Sequence, residues 1–368
     1  MQQLSTTSII DGDAALAGIF LQQLPLSQPV YAACIATVDP QGERIATIGC
    51  GLEQTFHIGS VSKGLNGLIY TQMLHAGLIT LEDRLDDYLP LKGTAAGRAT
   101  LESCLTHTSG LPATGGGRLA SARVTAAILT GRDPQPEGVD ALMVQLRRAK
   151  VGKAGSFLYS NLAASALGHA LAAIDGTDYA EMVHRRLSVP LGCASLRAQQ
   201  PEERGFPQDL PGLSVWGTEQ RPWVGKGYGP AGVIRGSAQD YATILSALLA
   251  SGDEAGTEAA VGAGGDGSTR RTGSISSAGR AVHDDAFRVR FSDGAQSVAA
   301  GWFVDEEDGR GLIWHNGFTS GFSAHLVVNR QSGQGCFISL VTPWPDLDTG
   351  AVARELLLGV ASNDSFGA

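Results

Sequence analysis

Apolar residues recur along most of this chain with the period of either a β-strand or a helix. Two runs near the N-terminus, PVYAACIATVD and RIATIGCG, are rich in residues that favour strands and are separated by the turn residues of DPQGE. This arrangement predicts an antiparallel hairpin. Apolar positions with helical spacing precede the hairpin at residues 11–23 and follow it from Ser60 to about His75, which predicts two helices.

The middle of the chain is predicted to be helical, and strands return near its end. Further helical patterns lie at 120–130, 138–149, 160–174, 178–187 and 237–251. Strand patterns follow in SVAAGWFVD, GLIWHNG, SAHLVVNR and GCFISLVTP, and GAVARELLLGVA is predicted to form a last helix. Strands at both ends with helices between them predict an α+β fold, in which both termini build one antiparallel sheet with flanking helices and a mainly helical region is inserted.

We expect a single domain that spans residues 8–362. Its α/β part covers about 8–58 and 286–362, and its helical part covers about 59–250. Residues 251–285 are rich in Gly, Ser, Ala and Thr and show no period, which is typical of a flexible surface excursion.

Composition narrows the function classes. Of the 368 residues, 43% are hydrophobic and 17% are charged, which supplies enough apolar surface for a core and excludes a disordered chain. The formal net charge of −9 repels phosphate backbones and anionic lipids, so we expect neither a nucleic acid nor a membrane as partner. The polar N-terminal segment has no basic residue before Arg44, and no apolar run is as long as a bilayer span, so we expect a soluble, cytoplasmic protein.

The five cysteines are scattered along the chain and odd in number, and none belongs to a CxxC pair. This pattern favours small buried residues in a reducing compartment over a disulfide framework or a metal site. We therefore predict neither a metal nor a cofactor, and the sequence leaves the oligomeric state open.

Ser60 and Lys63 form an S-x-x-K pair at the start of the first long helix after the hairpin. Positions i and i+3 of a helix share one face, so the hydroxyl and the amine are predicted to come within hydrogen-bonding reach. Backbone N–H groups at a helix N-terminus can stabilise an oxyanion, and a buried amine can accept or relay the serine proton. The motif alone is weak, because a helix-capping serine followed by a surface lysine has the same spacing.

A second motif, Tyr159-Ser160-Asn161, begins another apolar helix. A phenol close to a lysine ammonium loses its proton at reduced cost, so Tyr159 is a candidate general base for the serine. The amide of Asn161 can donate to a substrate carbonyl and hold the lysine in place. Taken alone, this tripeptide is more typical of a helix cap beside a core aromatic residue.

The third motif is His315-Asn316-Gly317, which lies in a predicted strand. A glycine on an edge strand lets a substrate backbone come close, and the N–H group of Phe318 is then available to an oxyanion. A lone histidine beside a strand is more often structural, so His315 gains weight only from the order of the three motifs.

With these motifs the chain resembles the serine β-lactamase and penicillin-binding-protein-like hydrolases, specifically the class C branch with its esterases and D-aminopeptidases. The resemblance runs from about residue 28 to about residue 360. It includes, in the same order, FHIGSVSKGLNGLIYTQMLHAGLITLEDRLDDYLP, LESCLTHTSGLP, GSFLYSNLAASALGHAL, GTDYAEMVHRRLSVPLGC and GPAGVIRGSAQDYATIL. It implies a β-lactamase/transpeptidase-like fold.

The resemblance also implies a serine acyl-enzyme mechanism. Ser60 is implied as the nucleophile, Lys63 as the proton relay and Tyr159 as the general base. The backbone N–H groups of Ser60 and Phe318 are implied as the oxyanion hole. The implied substrate-binding residues are Asn161, His315, Asn316, Gly317 and Phe318.

The chain departs from class C β-lactamases at His315, where those enzymes carry the lysine of a K-T-G motif. A histidine with an ordinary pKa near 6.5 is mostly neutral at pH 7, so the carboxylate of a β-lactam loses a fixed cation. We expect activity to depend on the protonation of His315 between about pH 5.5 and 7.5. The departure favours small esters or amides that lack a required carboxylate.

We therefore expect a cytoplasmic serine hydrolase that acts on a small ester or amide. An acyltransferase, in which an alcohol or amine intercepts the same acyl-Ser60, is one alternative, and a β-lactamase or DD-peptidase is another. A catalytically silent binding protein of the same fold is an alternative of a different class. The presence of all three motifs disfavours it.

Overall fold

The fold is built around an antiparallel sheet of nine strands to which both ends of the chain contribute. The computed structural model describes residues 1–5, 7–24, 28–115, 122–124, 126–127, 130–133, 135–203, 206–250, 277–307, 310–344 and 348–362. Residues 251–276 of the predicted excursion lie outside these ranges, as does much of the predicted helix at 120–130.

The strands of the main sheet come from the first and last parts of the chain. They are β1 Ile10–Gly12, β2 Ala32–Asp39, β3 Gly42–Ile48, β9 Phe291–Ser292, β10 Ser297–Val298, β11 Phe303–Glu307, β12 Arg310–Thr319, β13 Phe322–Asn329 and β14 Gln334–Val341. Two smaller sheets contain the strands between them, β4 Phe56–His57, β5 Arg197–Ala198, β6 Gly212–Leu213, β7 Glu219–Gln220 and β8 Ile234–Gly236. The order across the main sheet is β1-β3-β2-β14-β13-β12-β11-β10-β9. β2 and β3 form the predicted hairpin, and β2 pairs with β14 in the register Ala33↔Leu340, which joins the two ends of the chain.

Helices cover both faces of the main sheet. They are α1 Ala14–Gln23, α2 Ser62–His75, α3 Leu85–Tyr88, α4 Leu101–Leu105, α5 Val139–Arg148, α6 Asn161–Asp175, α7 Tyr179–Val183, α8 Val189–Leu191, α9 Ala238–Leu249, α10 Ser277–Phe287 and α11 Thr349–Ser362. α1 and α11 bury Phe20 and Leu356 against one face, with Ile35 of β2. Cys34, the neighbouring residue on β2, lies in the second core on the other face, together with α2 and the helices that follow it. Alternating positions of a strand point to opposite faces, so the whole apolar run of β2 is buried.

α2 is buried on nearly every side and carries the start of the candidate site. A Cβ atom added to Gly64 would lie 2.4 Å from the Trp302 ring, and one added to Gly67 would lie 1.7 Å from the carbonyl oxygen of Ala300. The segment SVAAGWFVD, predicted as one strand, is therefore two short strands with a turn between them. Gly301 makes that turn with a φ of +71°, which places Trp302 against α2.

α10 corrects the predicted extent of the flexible excursion. The excursion was expected to reach residue 285, but residues 277–287 are helical. His283, Ala286 and Phe287 are buried, which is the i, i+3, i+4 spacing of one helix face. The sequence does not predict this helix, because one of its three buried positions is a histidine and a Gly- and Ser-rich stretch precedes it.

All five cysteines are free, and four of them are buried as predicted. Among the described ranges, no helix has both the length and the apolar character needed to cross a membrane.

Candidate active site

Ser60 and Lys63 are brought together as their spacing predicts. Ser60 lies in a short 3-10 turn, Gly59–Val61, that leads directly into α2, and Lys63 lies in the first turn of that helix. Lys63 Nζ is 2.7 Å from Ser60 Oγ and donates a hydrogen bond of 2.8 Å to the carbonyl oxygen of Ala231. The lysine is only 3% exposed, and this burial lowers its pKa to about 7. A substantial fraction of the amine is therefore neutral at pH 7.

The carbonyl group that holds Lys63 belongs to a second 3-10 turn, Gly229–Ala231. One helical turn after Lys63, Asn66 Nδ2 donates to the carbonyl of Pro230 at 2.8 Å. Asn66 in turn accepts a hydrogen bond of 2.8 Å from the Tyr179 hydroxyl. α2 thus holds two consecutive carbonyl groups of this turn, and the amine is fixed by the backbone.

Tyr159 and Asn161 lie at the N-terminus of α6, which Ser160 caps by accepting a hydrogen bond of 2.9 Å from the N–H of Ala163. Lys63 Nζ is 5.0 Å from the centre of the Tyr159 ring. Burial raises the pKa of the Tyr159 phenol, and the nearby Ser60 hydroxyl opposes this shift only in part. The pKa therefore moves opposite to the predicted direction, because burial disfavours the phenolate as it disfavours the ammonium.

Asn161 does not fix the lysine as predicted. Its backbone N–H donates to the carbonyl of Ala113 at 2.9 Å, and no described residue bonds its buried Oδ1 atom. The carbonyl of Ala231 holds Lys63 instead. The amide of Asn161 is left available at the edge of the site.

Strand β12 brings the third motif against the nucleophile. A Cβ atom added to Gly317 would lie 2.0 Å from the carbonyl oxygen of Ile58 and 2.7 Å from the backbone nitrogen of Ser60. A Cβ atom on Gly59, whose φ is +53°, would lie 2.8 Å from the backbone nitrogen of Phe318. The pairing of β12 with β11 ends before this point, at Trp314↔Phe303. The backbone nitrogens of Ser60 and Phe318 therefore both lie at the contact between the nucleophile turn and β12, beyond the last residue of β12 that pairs with β11.

His315 lies on the same face of β12 as Gly317 and is 1% exposed. Its ring centre is 6.3 Å from that of Tyr159 and 5.2 Å from that of Phe303. His315 Nδ1 is 2.6 Å from the carbonyl oxygen of Asn316, and because a carbonyl oxygen only accepts, Nδ1 carries the proton. Nε2 then carries the lone pair and can only accept a hydrogen bond. The Asn316 side chain is exposed.

Burial, followed by the nearby charge of Lys63, holds the pKa of His315 well below its ordinary value. The expected titration between about pH 5.5 and 7.5 is therefore wrong. The lowered pKa favours the neutral form of His315 at pH 7. No other Lys or Arg makes an ion pair or a cation–π contact with the motif residues in the described part of the chain.

His107 is a residue of the site that the motif search missed. It follows α4, is 3% exposed, and has its ring centre 4.4 Å from that of Tyr159. Its segment, LESCLTHTSGLP, is one of those that carry the resemblance, but none of the three motifs singles out the histidine. A buried histidine of this kind is recognised only once the fold places it beside the phenol.

One family model and several solved structures match this chain. The family model described as Beta-lactamase matches residues 40–363. The comparison with curated proteins gives no match. Among solved structures, a class C β-lactamase from Rhodobacter sphaeroides is 19% identical with a TM-score of 0.73, and the alignment covers 95% of this chain and 100% of that one. A D-alanine carboxypeptidase from Burkholderia cenocepacia is 18% identical with a TM-score of 0.74, covering 94% of this chain and 99% of that one.

A third solved structure, a β-lactamase/D-alanine carboxypeptidase from Pseudomonas syringae, is 16% identical with a TM-score of 0.73 and covers 95% of this chain and 100% of that one. At these identities the similarity concerns the fold. It confirms the β-lactamase/transpeptidase-like fold, with its large antiparallel sheet and flanking helices.

Proposed function

The chain belongs to the β-lactamase family, and from this premise we propose that it is a serine hydrolase that forms an acyl-enzyme on Ser60 and cleaves a small ester or amide. Members of this family are serine hydrolases. The observation that carries the proposal is the distance of 2.7 Å between Lys63 Nζ and Ser60 Oγ. Because the pKa of Lys63 is lowered to about 7, its amine can take the hydroxyl proton near neutral pH.

In the proposed acylation step, Ser60 Oγ attacks the carbonyl carbon of the substrate and its proton moves to the neutral amine of Lys63. The carbonyl oxygen then carries a negative charge, which we assign to the backbone N–H groups of Ser60 and Phe318. The close packing of Gly59 and Gly317 supports this assignment, because it brings the two backbone nitrogens to one place beside the nucleophile.

Collapse of the tetrahedral intermediate breaks the bond to the leaving group, which must take up a proton unless it is a weak base. We assign this proton to Tyr159, since burial keeps its phenol protonated. The Lys63 ammonium then restores the phenol proton. The sequence pattern predicts Tyr159 as the general base, whereas the burial of both groups favours Lys63 for the first proton transfer. Deacylation repeats the transfers with water as the nucleophile.

The surroundings of His315 support an ester or amide without a carboxylate next to the reacting carbonyl. A carboxylate would meet the lone pair of Nε2 instead of a cation, because Nδ1 holds the only ring proton. Asn161 Oδ1 is a buried acceptor without a described donor, and His315 Nε2 can only accept once Nδ1 holds the proton. Both atoms favour a substrate with N–H or O–H groups near the scissile bond. The same geometry disfavours the β-lactamase and DD-peptidase alternatives.

A substrate panel tests this proposal. A p-nitrophenyl ester, a D-amino acid amide, an activated thioester and a penicillin are each mixed with the protein, and product release is followed beside the intact mass. We expect turnover of the ester or the amide, with little turnover of the penicillin. Each reaction is repeated with an added amine, because transfer of the acyl group to the amine in preference to water marks an acyltransferase. Preference for the penicillin would contradict the substrate assignment.

A further inference from the structure

His107 has a strained backbone conformation next to the candidate site. Its φ is +58°, and it is the only residue other than glycine with a positive φ in the described ranges. A histidine pays a conformational cost in this region, and such residues persist where their surroundings hold them. The strain therefore indicates that the contacts of His107 hold it in this conformation.

The contacts of His107 enclose Tyr159 from both sides. The carbonyl oxygen of His107 accepts a hydrogen bond of 2.8 Å from the N–H of Leu158, and His107 Nδ1 accepts one of 3.2 Å from the N–H of Ser160. Between these two bonds, the imidazole packs against the Tyr159 ring with 4.4 Å between ring centres and 39° between ring planes. One residue thus fixes the backbone before and after the phenol, and also one face of its ring.

The hydrogen bond from Ser160 sets the tautomer of His107. Because Nδ1 accepts, the single ring proton of the neutral imidazole is on Nε2. Burial, followed by the charge of Lys63, lowers the pKa of His107 to about 3. His107 therefore remains an acceptor through the pH range of activity, and it lends the site no charge.

We propose that His107 is a positioning residue that holds the Tyr159 phenol in line for proton transfer to the leaving group. This inference rests on the proposed function, and it adds a specific expectation to it. Loss of His107 should slow the reaction only where the leaving group needs a proton. A residue that merely stabilised the fold would affect all leaving groups alike.

The variants His107→Asn and His107→Gly test the proposal, because asparagine and glycine both tolerate a positive φ. Asparagine keeps an acceptor that can reach the N–H of Ser160, and glycine keeps no side-chain contact. We expect acylation by an alkyl ester to fall by about 10²-fold in His107→Gly and by less in His107→Asn. Acylation by the p-nitrophenyl ester of the same acid should fall by no more than about threefold, because its leaving group needs little protonation.

The matched control is His283→Asn, which changes a buried histidine on α10 whose Nδ1 contacts the carbonyl of Ala247, outside the site. It should leave the ratio of the two ester rates unchanged. A Tyr159→Phe background gives a second test. Once the phenol is absent, His107→Gly should cause no further loss with the alkyl ester.

Three results would overturn the role of His107. The first is an equal loss of acylation rate for the two esters in His107→Gly, and the second is a changed ratio of the two ester rates in His283→Asn. The third is a further loss of the alkyl-ester rate when His107→Gly is added to Tyr159→Phe. Circular dichroism of every variant shows whether it is folded. His107→Asn and His107→Gly are both expected to fold, because asparagine and glycine tolerate a positive φ. If the wild-type protein forms no adduct with either ester, the proposed function itself fails. If it forms adducts and the ratio is unaffected by His107→Gly, only the positioning role fails.

Discussion

At the scale of single residues, burial sets the protonation states of this site more than charge pairing does. Lys63, His107 and His315 all have lowered pKa values with burial as the largest cause, and burial raises the pKa of Tyr159. Each shift favours the neutral form of the group. The site near pH 7 is therefore a set of neutral donors and acceptors around one lysine that changes charge in the working range.

The first prediction concerns Lys63 and the pH profile of acylation. The pKa is lowered, so the amine is protonated below about pH 7 and neutral above it. We expect the acylation rate to rise with pH through a midpoint of about 7 and then to level off. Stopped-flow measurements with a p-nitrophenyl ester give this profile. Lys63→Ala should lower the plateau by about 10²- to 10⁴-fold and remove the inflection; an unchanged midpoint in that variant would assign the titration to another group.

The second prediction concerns His315 and the charge of the substrate. Two p-nitrophenyl esters that differ only in a terminal carboxylate or carboxamide, those of succinic and succinamic acid, form a matched pair. We expect the wild-type protein to favour the carboxamide by about tenfold in kcat/KM, which corresponds to about 1.4 kcal/mol. His315→Lys supplies a cation and should shift the preference towards the carboxylate. A wild-type preference for the carboxylate would contradict the assigned tautomer.

At the scale of secondary-structure elements, close backbone contacts position the nucleophile. β12 packs against the turn before α2 at Gly317, where the carbonyl oxygen of Ile58 leaves no room for a side chain. α2 packs against the turn at residues 299–302 through Gly64 and Gly67. The nucleophile turn is therefore held against β12, and α2 is held against the turn between β10 and β11, so the position of the nucleophile depends on glycines at both contacts.

The third prediction tests the contact between β12 and the nucleophile turn. In Gly317→Ala the new Cβ atom would lie 2.0 Å from the carbonyl oxygen of Ile58, so the strand and the turn must separate. We expect acylation to fall by about 10²-fold and the free energy of unfolding to fall by about 1–3 kcal/mol. Gly311→Ala is the control on the same strand, because a Cβ atom there meets nothing within 4 Å. Similar losses in both variants, measured by ester kinetics and urea unfolding, would mean that strand propensity and not the close contact is responsible.

At the scale of the whole molecule, the site is assembled from segments that are far apart in the chain. The nucleophile comes from the turn before α2, the phenol from the residue before the N-cap of α6, and the third motif from β12. Pairing of β2 with β14 joins the two ends of the chain into the sheet whose strand β12 carries the third motif. The chemistry therefore requires the complete sheet and the helical region together.

Much of this arrangement is visible in the sequence, because it depends on periodicity and on motif spacing. The hairpin, the main helices and the meeting of Ser60 with Lys63 follow from local patterns. The hydrogen-bond partner of Lys63 does not follow from the sequence. It is the backbone carbonyl of Ala231, and any residue at that position supplies the same group. The direction of the Tyr159 pKa shift and the role of His107 depend on burial, which only the packed structure defines.

The central claim is that Ser60 becomes acylated, and the most direct test is the intact mass of the protein after brief reaction with a p-nitrophenyl ester. We predict a single acyl adduct on Ser60, located by peptide mapping, and none in Ser60→Ala. Ser165→Ala is the matched control, because Ser165 is buried in α6 and its hydroxyl has no described partner; it should still form the adduct. Ester turnover that persists in Ser60→Ala, or an adduct on another residue, would contradict the account.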